Sequence, residues 1–439
     1  MKKHRLLNIL IFVGLVAGAL VGFVLYQRVD GLQGEELAQA LAGLDWLKEA
    51  GDIILIRPLK MLIIPLVFTS VIVGITSIGD PSRLGLVGGA TLLYYFSTML
   101  IAVILGATLV STVQPGAGID LSSATGAEFA PSTDAPTELS GAWVNIIKQV
   151  IPENVLGEAA AAHPLPVISF AIFLGLALAV IGEKGRPVTQ FIEALFAAVM
   201  TLVGWVLWLT PIGVFFLVAW TIGKLGGQAV DAVGKYMMTV FIGLGVHGFI
   251  VLPLVLFLFG RTNPYVFMWR MRPALMTAFG TDSSSATLPV TMETAETDGE
   301  CSKKASGFVL PLGSTINMDG TALYEAVAVI FLFQGFGIQL GFEQLMVVAL
   351  TATLAAVGAA GIPSAGLVTM VIVIEAVNTT LAGSETGTLP VVAIGIILGV
   401  DRIVDMCRTV VNVWGDAVGA KIITRIAPDT EEEREKALS

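Results

Sequence analysis

From Leu6 to Ile423 the chain is largely a succession of long apolar runs, and this limits its fold more than any other feature. Each run holds about 20 residues or more, enough as a helix to cross a hydrocarbon layer of ~30 Å. Inside a bilayer every backbone polar group needs an internal partner, so such runs form helices packed on one another. The chain is 55% hydrophobic and 13% charged over 439 residues. Soluble domains carry about twice that charge, so an all-α polytopic membrane protein is expected. The net charge of −10 is spread over loops, helix faces and a tail, and no large basic patch suits a nucleic acid.

Spans are predicted at 6–27, 52–78, 87–112, 164–182, 190–222 (with Pro211 inside), 232–260, 306–335 and 388–424. The basic start and long apolar run of the N-terminus read as a retained first span rather than a cleaved leader. Two further stretches, 265–298 and 343–381, are interrupted by GTDSSSATLP and GAAGIPSAG. Each is long enough for two short helices meeting at a tip of small residues, a re-entrant hairpin. With eight spans, Lys2, Lys3, Arg5, Arg83, Lys184, Arg186, Arg261, Arg270, Arg272, Lys303, Lys304, Lys421 and Arg425 all fall on one side. The positive-inside rule makes that side, with both termini, cytoplasmic. Residues 114–142 contain no Lys or Arg and fall outside. Broken hairpin followed by polar span then occurs twice in opposite orientation, an inverted repeat. Residues 30–50 read as amphipathic and interfacial.

The last span carries the chemistry. Asp401, Asp405, Arg408, Asn412 and Asp416 are spaced 4, 3, 4 and 4. At ~100° per residue they share a stripe about 80° wide. Ionisable groups at bilayer depth cost at least ~2.5–3.5 kcal/mol each, so a shared polar cavity is expected there. NMDGT, 317–321, sets Asn, Asp and Gly inside an apolar span, which favours local unwinding and frees carbonyl oxygens for a hard cation. Glu325 lies eight residues beyond Asn317, ~80° around the helix. A Ser-rich turn, Ser283–Ser285, offers hydroxyls and backbone N–H groups. Cys301 and Cys407 suggest neither a disulfide framework nor a zinc site, and His4, His163 and His247 are scattered. An intramembrane aspartyl protease would need a GxGD signature that is missing, so no enzyme and no cofactor is expected.

SSSATLPVTM (283–292), GSTINMDGTALYEA (313–326), GAAGIPSAG and DMCRTVVNVWGD (405–416) occur in the order found in the dicarboxylate/amino acid:cation symporters. The chain resembles that family, which includes the animal glutamate transporters, over nearly its whole length. The resemblance implies a glutamate-transporter-like fold of eight spans plus two hairpins. It implies a scaffold and trimerisation part in 1–260, with span three and parts of span six joining the transport unit. It implies a transport core in 261–426 and a tail in 427–439. It implies import of L-glutamate and/or L-aspartate with sodium, no resident cofactor, a homotrimer in membrane lipids, and no nucleic-acid partner. Arg408 matches the Arg that grips the side-chain carboxylate and is replaced in neutral amino acid carriers. Asp405 matches the acceptor of the ammonium group, and Asn412 the residue holding the α-carboxylate. Ser283, Ser284, Thr321, Ile362, Gly366 and Thr409 match further substrate contacts. Gly313, Asn317, Asn412 and Asp416 match one sodium site. Tyr95, Thr98, Asn317 and Asp319 match a second, and backbone oxygens near Thr315, Ala356, Val357 and Ala359 a third. Glu325 matches the proton-coupling Glu of some members, with a neutral structural Glu as the competing reading. Potassium counter-transport, known in the animal proteins, stays open. Carriers of the same fold for neutral amino acids or C4-dicarboxylates are the alternative. The missing mid-chain insertion of the animal proteins points to a bacterial inner membrane. Two positions depart from the pattern. Asp282 adds an acid beside the Ser triplet, and Met99 puts a thioether next to the Tyr95/Thr98 site.

Overall fold

The structure is a computed structural model and describes residues 2–77, 85–118, 151–161, 163–357, 365–381 and 387–429. Its elements are helical. They are α1 (Lys2–Val29), α2 (Gly34–Ala42), α3 (Asp45–Gly51), α4 (Arg57–Ser77), α5 (Gly85–Val113), α6 (Val155–Ala160), α7 (Pro164–Ile181) and α8 (Arg186–Leu207). There follow α9 (Thr210–Leu225), α10 (Gly227–Val246), α11 (Leu252–Val255), α12 (Pro264–Arg270), α13 (Arg272–Thr281) and α14 (Ser284–Thr297). The last are α15 (Lys303–Ile316), α16 (Asp319–Gly335), α17 (Phe342–Val357), α18 (Ala365–Leu381) and α19 (Leu398–Thr424). Seven described segments are long and apolar enough to cross a membrane, among them Ile9–Val29, Val230–Gly260 and Lys303–Gly335.

Both interrupted stretches fold back on themselves. α13 packs against α14 across the turn at Asp282 and Ser283, and α17 packs against α18. The second tip, 358–364, lies outside the described residues, as do most of the 114–142 loop and of the C-terminal tail. The NMDG unwinding is present. Asn317 (ψ 89°) and Met318 (ψ 56°) leave the helical region between α15 and α16.

Two expected spans differ. The segment 190–222 is two helices, α8 and α9, joined by a turn at Trp208 and Leu209. Pro211 lacks an N–H and its ring clashes with the carbonyl four residues back, so it stands in the first turn of a new helix instead. The segment 388–424 is α-helical only from Leu398. Pro390 precedes a buried 3₁₀ stretch, Val391–Ile396, which leads into α19.

α16 is buried along nearly all its length, with α5, α10, α17, α18 and α19 around it. Exposed apolar side chains concentrate on α1, α8 and the 249–259 stretch, where Phe12, Phe191, Trp205, Phe249 and Phe257 face outward as lipid contacts do. α1 meets α9 along Gly14, Gly18 and Gly22. A Cβ on Gly18 would stand 2.7 Å from the Phe215 carbonyl oxygen, and one on Gly22 2.8 Å from that of Ala219. Small residues at this spacing let two helix backbones touch, and dispersion replaces the hydrophobic effect as the attraction. Gly18→Val should overpack this seam by about 1–3 kcal/mol. A lowered thermal midpoint in detergent, with Gly89→Val (no neighbour within 4 Å) as the neutral control, checks this.

Candidate functional site

The stripe on α19 turns inward. Asp401, Asp405, Arg408, Asn412 and Asp416 are each at most 3% exposed, enclosed by α13, α14, α15, α16 and the 247–260 segment. The helix therefore presents its charges to protein and its apolar residues to packing.

Around Arg408 the groups form a chain. Arg408 Nε donates to Asp405 Oδ1 at 2.5 Å, and its Nη1 lies 3.5 Å from Asp401 Oδ1. That same Asp401 oxygen accepts the Tyr324 hydroxyl at 2.5 Å. The Tyr324 ring sits 4.3 Å from the guanidinium carbon, a cation–π contact. Both terminal nitrogens, Nη1 and Nη2, are buried without a hydrogen-bond partner. Gly366, at the start of α18, presses on this group, and a Cβ there would stand 2.7 Å from Arg408 Cζ. A side chain at 366 would have to push the guanidinium aside, so glycine lets α18 lie directly on it.

The first hairpin reaches the same place. Ser283 caps α14, its Oγ accepting from the Ala286 N–H at 3.1 Å, and Ser284 is buried beside it. Asp282 takes a left-handed conformation (φ 57°) that Asp tolerates better than most residues. Thr409 Oγ1 donates to Asp282 Oδ1 at 3.4 Å, which brings the turn onto α19.

Below Arg408, Asn412 ties α19 to the unwound segment. Its Oδ1 accepts the Gly320 N–H at 2.7 Å, and its Nδ2 donates to Thr321 Oγ1 at 3.2 Å. One turn further, Asn317 Nδ2 donates to Asp416 Oδ1 at 3.0 Å, and Thr98 Oγ1 lies 3.5 Å from Asn317 Oδ1. A Cβ on Gly313 would stand 2.7 Å from Asp416 Cγ and 2.8 Å from the Tyr95 hydroxyl. Tyr95 itself donates to the Val309 carbonyl at 2.6 Å. Asp319 Oδ2 pairs with His247 Nε2 at 3.1 Å, whereas Asp319 Oδ1 is buried and unbonded. Gly313, Asn317, Asp319, Asp416, Tyr95 and Thr98 thus converge, while Asn412 uses one oxygen lone pair on the Gly320 N–H and one amide N–H on Thr321. Among the described residues no three His, Cys, Asp or Glu side chains group as transition-metal ligands. The oxygen-rich set instead has the donor chemistry that hard cations prefer. Met99 is fully buried in the apolar core.

Glu325 is wholly buried on α16. Its Oε1 accepts a hydrogen bond from the Thr369 hydroxyl of α18, and its Oε2 makes no hydrogen bond. Thr315 bonds the Leu312 carbonyl of its own helix at 3.0 Å, and Ala356 and Val357 end α17. Ile362 and Ala359 lie outside the described residues.

The stripe argument missed three participants. Arg402 stands ~100° from Asp401 on the helix, outside the stripe, yet its Nη1 is 2.5 Å from Asp282 Oδ2. Tyr324 carried no signal within an apolar run. His247 is isolated in sequence, and only folding brings it to Asp319.

A model of the sodium:dicarboxylate symporter family matches residues 7–426. The chain belongs to that family. Among its relatives, the Bos taurus protein named neutral amino acid transporter B(0) is 37% identical over 461 residues, covering 98% of this chain and 81% of its own. The Caenorhabditis elegans protein named putative sodium-dependent excitatory amino acid transporter glt-4 is 34% identical, covering 98% and 91%. Mouse excitatory amino acid transporter 3 is 36% identical, covering 85% and 78%. The symporter is thus a multi-pass membrane transporter of the sodium-dependent amino acid class, not an enzyme, and it needs coupling ions rather than a resident cofactor.

Asn412 is the hinge between the two halves of this site. Asn412→Ala leaves the buried Gly320 N–H without an acceptor and should cost about 1–3 kcal/mol. A drop of several degrees in the thermal midpoint, with Asn412→Asp retaining more stability than Asn412→Ala, is the expected result.

Proposed function

We propose that this symporter imports L-aspartate and/or L-glutamate with sodium and a proton. The observation that carries the reading is the Arg408 guanidinium, buried beneath Gly366 with two terminal nitrogens that make no hydrogen bond, Nη1 having only the 3.5 Å ion pair with Asp401. A planar fork of this kind matches a carboxylate with two parallel hydrogen bonds. Asp405, now bonded to Nε, is the acceptor for a substrate ammonium group. The Ser283–Ser284 start of α14 and the amide of Asn412 are proposed to hold the α-carboxylate, favoured by the positive end of the helix. Thr409, Thr321, Gly366 and Ile362 complete the substrate contacts.

Sodium is proposed to bind among Asn317, Asp319, Asp416, Gly313, Tyr95 and Thr98, where Asp319 Oδ1 is an orphaned donor oxygen. Asn412 is assigned here as well. A third sodium is proposed near Thr315, Ala356, Val357 and Ala359. Coupling between ion and substrate has a physical route. A cation fixes the 317–320 bend, and through the Gly320–Asn412–Thr321 bonds that bend sets the floor of the substrate site. Glu325 is proposed as the proton carrier, because protonation would remove its charge before the unit moves.

The hairpins with α15, α16 and α19 are proposed to move as a transport unit against a scaffold that trimerises, in a bacterial inner membrane with both termini inside. Leu398–Thr424 would be the eighth span. Such movement must break the 2.7 Å ion pair between Lys60 of α4 and Glu375 of α18. A neutral amino acid is the second reading, favoured by the name of the Bos taurus relative. Arg408 opposes it, since a neutral side chain leaves the buried guanidinium unmatched.

Proteoliposome uptake under an inward sodium gradient tests the proposal. L-Aspartate or L-glutamate should accumulate and succinate and serine should compete poorly. Absence of uptake of either acid at acidic and neutral external pH rejects the reading. Arg408→Gln should lower kcat/KM for the acidic substrate by about two to three decades, the cost of removing one partner of a buried charge pair. Glu325→Gln should retain sodium dependence but lose stimulation by an inward proton gradient, as a carboxamide cannot carry the proton. Unchanged stimulation would remove Glu325 from that role.

A further inference from the structure

We propose that Arg402 is a positioning residue for acidic substrates, acting by holding and neutralising Asp282 at the tip of the first hairpin. The inference rests on the acidic-substrate reading above.

Asp282 sits next to the Ser283–Ser284 start of α14 and is 2% exposed. An unbalanced carboxylate there would repel an incoming carboxylate, and in a site shielded from water such repulsion is large. Arg402 supplies the balance. Its Nη1 is 2.5 Å from Asp282 Oδ2 and 3.8 Å from Asp405 Oδ2, and its side chain is only 16% exposed. The cluster then contains three carboxylates, Asp282, Asp401 and Asp405, against two guanidinium groups, Arg402 and Arg408. Without Arg402 it would be three against one, and the excess negative charge would lie where an anionic substrate must settle.

The contact is also mechanical. Asp282 is the left-handed residue that joins α13 to α14, so whatever fixes its carboxylate fixes the direction in which α14 starts. Thr409 holds the other carboxylate oxygen at 3.4 Å. Thr281 and Thr287 hydroxyls, 2.9 Å apart, brace the two arms behind the turn. Arg402 and Thr409 lie on one helix and approach opposite oxygens of one carboxylate, Arg402 by a charge contact without hydrogen-bond alignment and Thr409 by a long hydrogen bond, so the tip is tethered to α19. Arg402 touches Asp282 and reaches toward Asp405, but the Arg408 terminal nitrogens stay free of it. Its influence on substrate therefore runs through Asp282.

The test compares wild type, Arg402→Gln, Arg402→Lys, Asp282→Ser and the double variant Arg402→Gln/Asp282→Ser in sodium-driven L-aspartate uptake. Arg402→Gln should raise KM about tenfold and keep kcat within about threefold. Arg402→Lys should recover most of the loss. The double variant should return KM to within about threefold of wild type, because it removes the carboxylate that Arg402 balances. An unchanged KM in Arg402→Gln, or a double variant as impaired as the single, overturns the proposal. A second readout needs no transport. With Cys301→Ser and Cys407→Ser as background, Ser285→Cys reports tip opening by its maleimide labelling rate in sodium alone. Arg402→Gln should speed labelling about fivefold and Asp282→Ser should restore it, whereas equal rates overturn the clamp. If wild-type protein takes up neither acid, the acidic-substrate reading fails, and the labelling series still decides whether Arg402 clamps the tip.

Discussion

The constraint on which this molecule depends is the cost of holding charge away from water inside a membrane. Asp282, Asp319, Asp401, Asp405, Asp416, Glu325 and Arg408 are all nearly or wholly buried. A lone charge at that depth is expensive, and each of these is embedded in contacts that reduce the expense. Arg408 has Asp405, Asp401 and the Tyr324 ring. Asp282 has Arg402 and Thr409. Asp319 has His247, and Asp416 has Asn317. Some of their polar atoms still make no hydrogen bond: Asp282 Oδ2, which has only the Arg402 charge beside it, and, facing the proposed substrate, ion and proton sites, the Arg408 terminal nitrogens, Asp319 Oδ1 and Glu325 Oε2. The latter gaps are where the proposed cargo belongs. An anion, a cation and a proton are the species that would close them.

The fold follows from the same constraint. Irregular backbone at membrane depth survives only when other protein satisfies it. The unwound Asn317–Met318 segment is held by Asn412, and the turn at Asp282–Ser283 by α19 and by its own capping serine. α19 supplies partners to both, and four of the seven buried charged residues named above lie on it. The rest of the chain is built for close backbone packing. The Gly14–Gly18–Gly22 seam lets α1 lie on α9, and Gly366 lets α18 lie on the guanidinium.

Much of this was legible before folding. Apolar runs of bilayer length predicted the spans, two polar interruptions predicted the hairpins, and the spacing of Asp401, Asp405, Arg408, Asn412 and Asp416 predicted an inward face. What escaped was non-local or fell off the period. Arg402 lies outside the stripe, and only the docking of the first hairpin shows what it meets. His247 and Asp319 are far apart in sequence, so neither announces the other. The glycine seam of α1 was hidden in a run that hydropathy alone already explained. The break at Trp208–Leu209 was visible as Pro211, but the length of the apolar run argued for continuity. Resemblance named the roles of residues such as Asn317 and Thr98, and the geometry adds that Asn412 binds the backbone beside them.

The central claim is that the buried Arg408 fork is matched by an acidic amino acid once sodium orders the bend below it. Calorimetric binding of L-aspartate and L-glutamate to the purified symporter, across sodium concentrations, addresses it most directly. Tight binding of at least one of them that weakens steeply as sodium is withdrawn, with L-serine binding far more weakly, is the predicted result. Binding of neither at any sodium concentration, or tighter binding of L-serine, would contradict it.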